Sequence, residues 1–135
     1  MDKIIGIDPG KNTGLAIAEN GQLIKLMTTD FWGAVETIER NADAVIVIEL
    51  PANKHIFHKG AQARGAIGRT GINVGSVIRE AELLIQYLHR NDREHIIQRP
   101  QGKKNAAEFK KITGWTGRTN QHERDAAMMI HGLIK

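Results

Sequence analysis

The sequence predicts an α/β domain built on a mixed five-stranded sheet, its first three strands antiparallel, with helices on both faces. Three observations carry this. Two apolar runs near the start are joined by Asn20-Gly21, a dipeptide suited to the type I′ turn of a tight hairpin. The run "DAVIVIE", Asp43–Glu49, is β-branched throughout its centre, as in a strand covered on both faces. Beyond it, Val74, Val77, Ile78, Ala81, Leu84, Ile85 and Leu88 recur at helical spacing before another strand pattern. A hairpin section followed by strand–helix alternation implies a mixed sheet.

Taken in order, "KIIGID", Lys3–Asp8, reads as a buried strand. Gly14–Ala18 and Gln22–Met27 are the two arms of the hairpin. Residues 28–40 form a short helix, with Trp32, Val35 and Ile38 at helical spacing. Asp43–Glu49 is the fourth strand, stopped by Pro51. Residues 52–72 are polar and rich in Gly, Lys, Arg and His, a long loop for a small domain. The helix that follows is capped by Asn73. Glu94–Gln98 is the fifth strand and Ala106–Ile112 a basic helix. A last helix opens near Gln121, with Asn120 and Glu123 spaced as a capping box.

The chain has 135 residues, enough for one domain with a real core and too few for two. It contains no cysteine, which excludes disulfides and thiolate chemistry. No apolar run approaches the roughly 20 residues that span a bilayer. Met1 leads directly into a strand pattern, so a cytoplasmic location without membrane attachment is expected.

The net charge of +4 conceals an asymmetry. Residues 1–49 hold eight acids and four bases; residues 50–135 hold seven acids and fifteen bases. No acid lies between Glu49 and Glu80, where Lys54, Lys59, Arg64 and Arg69 fall. From His95 to His122 only Glu108 opposes Arg99, Lys103, Lys104, Lys110, Lys111 and Arg118. Solubility alone can explain a net charge. Two acid-poor stretches point further, to a polyanion such as nucleic acid.

Against that basic background, two acids end apolar runs: Asp8 after "IIGI" and Glu49 after "VIVI". If these strands are parallel neighbours, both carboxylates emerge at one sheet edge, where sites of α/β sheets lie. His122 and Asp125 are three residues apart and share a face of the last helix. Each residue also has a plainer use. Asp-Pro-Gly makes a good turn, Glu49 could be a solvated strand end, Asp125 could favour a helix N-terminus, and His122 could be structural. Together, three carboxylates and an imidazole would repel unless cations intervene. Hard oxygen donors with an imidazole suit Mg²⁺, with Mn²⁺ as substitute. Two such ions can activate a water and stabilise the leaving oxygen of a phosphodiester.

"IIGIDPGKNTGLAI", "AVIVIELP" and "HERDAAMMIHG" resemble the RuvC-type Holliday junction resolvases of the RNase H-like superfamily, in compact form as in phages and other viruses. The family pattern has a strand-end Asp in "DPG" followed by Thr-Gly (Asp8, Thr13-Gly14), a Glu ending the fourth strand (Glu49), and an Asp or His three residues before an Asp on the last helix (His122, Asp125). The resemblance implies a homodimer that binds four-way DNA and makes paired Mg²⁺-dependent nicks in recombination, repair or viral genome processing, in host cytoplasm if viral. It also implies a phosphate-contacting segment at "RPQGKK", where Pro100 is followed by Lys103 and Lys104.

The expected DNA contacts are Lys54, Lys59, Arg64 and Arg69 in the long loop, and Arg99, Lys103 and Lys104 after the fifth strand. Phe57 would stack on an unpaired base, though it would equally serve to cover the core. The apolar stripe Val74–Leu88 could serve a dimer interface or the sheet core. Three other readings stay open: a nuclease for branched DNA generally, an RNA-directed RNase H-like nuclease, and a nucleic-acid-binding module without cleavage. An actin-type ATPase shares the strand-end Asp, but needs two domains.

Overall fold

The structure is a computed structural model that describes residues 2–50, 68–99 and 102–133. Its centre is the expected mixed sheet of five strands: β1 (Lys3–Asp8), β2 (Thr13–Glu19), β3 (Gln22–Thr29), β4 (Val45–Glu49) and β5 (His95–Gln98). The spatial order is β3-β2-β1-β4-β5. β2 runs antiparallel to β1 and β3, and β4 runs parallel to β1 and β5. Asn20 and Gly21 both take positive φ, as the hairpin dipeptide requires.

The described residues include four helices: α1 (Phe31–Arg40), α2 (Gly68–Arg90), α3 (Ala106–Thr113) and α4 (Gln121–His131). Strand alternation assigns each sheet face its own helices. Ile5, Ile7, Leu15, Ile17, Ile46 and Ile48 pack with Ala34, Val35 and Ile38 of α1 and with Leu84 and Leu88 of α2. Ile4, Ala16, Ala18 and Val47 pack with Phe109 of α3 and with Ala126, Ala127, Met129 and Ile130 of α4. Arg93 ties the α2–β5 turn to the opposite connection. Its guanidinium donates to the carbonyls of Ile38, Asn41 and Ala44 at 2.7, 2.8 and 2.9 Å.

The structure corrects several element boundaries. Thr28 and Thr29 belong to β3, and α1 starts only after Asp30, whose carboxylate accepts from the Gly33 N–H at 2.8 Å. Trp32 is not on the inward face; it is 74% exposed. The inward stripe is Phe31, Ala34, Val35 and Ile38, and Trp32 lies one residue, about 100° of helix, away from it. Helix α2 starts at Gly68, not beside Asn73, so Asn73 is interior and Arg69 lies in the first helical turn instead of a loop. Apolar periodicity revealed the stripe but not this polar first turn. From Ile78 onward the stripe serves the chain's own core: Ile78, Ala81, Leu84 and Leu88 are buried. Lys54, Phe57, Lys59 and Arg64 lie outside the described residues.

Candidate active site

Parallel pairing of Ile7 with Ile48 carries β1 and β4 to the same sheet edge in register. The next residues along are Asp8 and Glu49, so the two strand-end carboxylates become neighbours, and the carboxyls share a hydrogen bond. Such a bond between two carboxyls requires one of them to keep a proton.

Helix α4 brings the other two groups. It can lie close on the sheet because β1 and β2 present glycines beneath it. A Cβ at Gly6 would overlap the Ala126 carbonyl, and one at Gly14 would overlap the carbonyl of His122. The capping box sets where α4 starts, with the Asn120 side chain accepting from the Glu123 N–H and the Glu123 side chain from the Asn120 N–H. Thr28 at the end of β3 fastens this cap, accepting from Asn120 Nδ2 at 2.6 Å and donating to Glu123 Oε2 at 3.3 Å. Glu123 is therefore a cap rather than a member of the carboxylate cluster.

So placed, His122 Nδ1 lies 3.5 Å from Asp8 Oδ2. Asp125, one helical turn on, accepts from Gln121 Nε2 at 2.7 Å and meets Lys103 Nζ at 3.3 Å. The Asp125 side chain is only 17% exposed, whereas Lys103 is 72% exposed. The Lys103–Lys104 segment is pinned from the helix. Arg124 Nε and Gln121 Nε2 both donate to the Lys104 carbonyl, at 2.9 and 3.4 Å. Sequence reasoning missed Gln121 and Arg124. Their signal is a pair of long polar side chains three apart at the start of a helix that follows a basic loop.

The electrostatics follow the geometry. Burial, then the charge of Asp125, raises the Asp8 carboxyl from an ordinary 3.8 to about 6. Burial, then the charge of Asp8, raises Glu49 from 4.5 to about 7, and Lys103 opposes both shifts. The shared bond lowers Asp8 and raises Glu49.

A fourth partly buried carboxylate stands behind the Asp8 turn. Glu80 of α2 accepts from the Gly10 N–H, and burial raises its pKa. Its Oε2 is buried without a hydrogen-bond partner among the described residues. Thr13 Oγ1 holds the same turn from the other side, donating to the Gly10 carbonyl at 2.9 Å.

Of the expected site, Asp8 meets both Glu49 and His122. Asp125 reaches Asp8 and Glu49 through its charge while bound to Lys103. Among the described residues no group of three or more His, Asp or Glu side chains stands at metal-holding spacing. The donor chemistry, paired carboxylate oxygens beside an imidazole, nonetheless suits a hard divalent cation. Arg99 is exposed just past β5, at the same edge. No helix among the described residues is long and apolar enough to cross a membrane.

No known family model matches the chain, and no curated protein matches it.

Proposed function

We propose that the chain is a divalent-metal-dependent, structure-selective endodeoxyribonuclease that resolves four-way DNA junctions by paired nicks. The observation that carries this reading is the Asp8–Glu49 pair at one sheet edge, joined there by His122 and Asp125 from a helix pressed onto the sheet. Asp8, Glu49 and Asp125, with His122, would hold Mg²⁺ or Mn²⁺. When bound, the metal supplies Lewis acidity and charge neutralisation at a phosphodiester.

The chain's own residues divide the remaining work. With its Nδ1–H turned toward Asp8, the His122 ring keeps Nε2 as its one accepting nitrogen, suited either to a metal or to an attacking water. Lys103 leaves Asp125 for a phosphate oxygen, which frees that carboxylate for the metal. Arg99 and Lys104 extend the basic margin along the same edge. Two nicks related by the symmetry of a junction call for two copies of the chain, so the active form is a homodimer.

The test is cleavage of a four-way junction, Y-fork, duplex and RNA–DNA hybrid of matched sequence, with Mg²⁺ and with EDTA. Chelator-sensitive, paired nicking of the junction above the other substrates is expected. Binding of all four without cleavage would leave a nucleic-acid-binding module. Preference for the hybrid would make the chain an RNA-directed nuclease. Sedimentation that shows only monomer, free and on the junction, would remove the dimer.

A further inference from the structure

A second basic feature lies away from the carboxylates, on the α3 side of the molecule. Between α3 and the turn leading to α4 is a cleft of about 330 Å³, lined by Lys110, Trp115, Gly117, Arg118 and Thr119 among others, with no Asp or Glu in its walls. That volume is in the range of small-ligand clefts. Lys110 and Arg118 are exposed and Trp115 is half-buried. The Trp115 backbone N–H donates to Thr113 Oγ1 at 3.2 Å, and the side chain packs against the core cluster that contains Phe109. A Cβ at Gly117 would stand only 3.1 Å from Trp115 Nε1. Glu108, the nearest acid in sequence, is turned away into the capping box of α3.

The cleft is rigidly coupled to the carboxylate edge. Thr119 accepts from Arg124 Nη1 through both its carbonyl and its hydroxyl, at 3.1 and 2.9 Å. The same guanidinium holds the Lys104 carbonyl, beside the lysine that meets Asp125. One arginine thus fixes both places relative to each other.

We propose that this cleft seats a nucleotide of the nucleic-acid substrate at a distance from the cleaved bond, with Lys110 and Arg118 on phosphates and the base against Trp115. The proposal rests on the nuclease reading for the identity of the substrate. Its occupant is argued from charge and shape. Two cations without a competing acid suit a phosphodiester, and an aromatic wall suits a base of any sequence.

The experiment uses the full chain carrying Trp32→Phe, which leaves Trp115 as the only indole of the two in the sequence. A four-way DNA junction is titrated in EDTA, and Trp115 emission and affinity are followed across a salt series. Trp115 should be quenched at saturation. Lys110→Ala with Arg118→Ala should lower the salt slope of binding by about two units, one for each lost phosphate contact. Both side chains are exposed, so thermal stability should not change. Gly117→Ala, which crowds the indole without altering charge, should weaken binding at every salt concentration with an unchanged slope. Unchanged emission at saturation together with a wild-type slope in the double variant would overturn the proposal. Because binding is read without metal, the two readings fail separately. A chain that binds with Trp115 quenched but never nicks loses the nuclease reading and keeps the cleft. A chain that nicks with Trp115 silent and the slope unaltered loses the cleft and keeps the nuclease.

Discussion

Asp8 and Glu49 stand side by side where the parallel strands β1 and β4 end, and burial raises both carboxyls. Their folded-state pKa values, about 6 and about 7, lie above the ordinary 3.8 and 4.5. The folded state therefore binds protons more tightly than the unfolded chain. The stability this contributes is complete below about pH 4 and is lost as pH rises through about 6 and 7. Metal-free protein should melt at a lower temperature at pH 7.5 than at pH 5 for this reason. Mg²⁺ competes with the proton, so its stabilising effect should be larger at pH 7.5. Melting curves in EDTA and in Mg²⁺ at both pH values check this. An equal Mg²⁺ shift at the two pH values would dissociate the pair from metal binding.

The same reasoning separates stability from activity. Asp8→Asn and Glu49→Gln remove a partner that is poorly tolerated as a charge at neutral pH. Both variants should fold, and both should flatten the fall in melting temperature with pH. Each should reduce Mg²⁺-dependent nicking by more than about 100-fold, since even partners of metal ligands can be worth 10–100-fold. Asp125→Asn should do likewise while freeing Lys103. Ordinary activity in any one of them removes that residue from the site.

His122 is tested by replacement rather than deletion. Its Nδ1 stands 3.5 Å from Asp8 Oδ2, close enough for a carboxylate at position 122 to share a cation with Asp8. His122→Asp should retain part of the nicking rate, and His122→Ala should retain less. An inactive Asp variant beside a fully active Ala variant contradicts the role assigned to the ring.

How much of this was legible in the sequence differs by element. The strand ends were, because Asp8 and Glu49 follow unbroken apolar runs and parallel pairing leaves little choice of edge. The cap of α4 was, because Asn120 and Glu123 are three apart. The start of α2 was not, since its first turn lacks the apolar periodicity that marks the rest. Trp32 was misplaced because its spacing to Val35 and Ile38 fits a stripe that Phe31 occupies instead. The engagement of Asp125 by Lys103 could not be read, because it joins residues 22 apart through a loop whose path only the fold determines.

Glycine at position 14 is the residue on which the approach of α4 depends. The His122 carbonyl occupies the space that a Cβ would need, and both neighbours are backbone, which cannot rotate away. Gly14→Ala should therefore push the N-terminal turn of α4 off β2. The expected loss of stability is about 1–3 kcal/mol, the range for overpacking a filled site. Nicking should fall further than stability accounts for, because His122 and Asp125 move while Asp8 and Glu49 stay. Measured well below the melting temperature, a folded Gly14→Ala protein with wild-type activity would mean that the distance between α4 and the sheet does not set the site.

Glu80 offers the last and sharpest separation of position from chemistry. Its carboxylate accepts from the Gly10 N–H and so braces the turn that carries Asp8, yet its Oε2 is buried without a partner among the described residues. Burial, opposed by the Gly10 N–H, raises its pKa, so this carboxylate too favours folding below its unfolded value and less as pH rises through its folded value. Glu80→Gln keeps an oxygen for Gly10 and removes the charge. It should leave activity within a few-fold of wild type and make melting less dependent on pH. Glu80→Ala removes the brace as well. It should lower the nicking rate by about 10-fold or more if holding the Asp8 turn matters as much as partners of metal ligands usually do. Equal activity in the two variants would show that the turn holds itself, through Thr13 and Pro9, and that Glu80 is a passive part of α2.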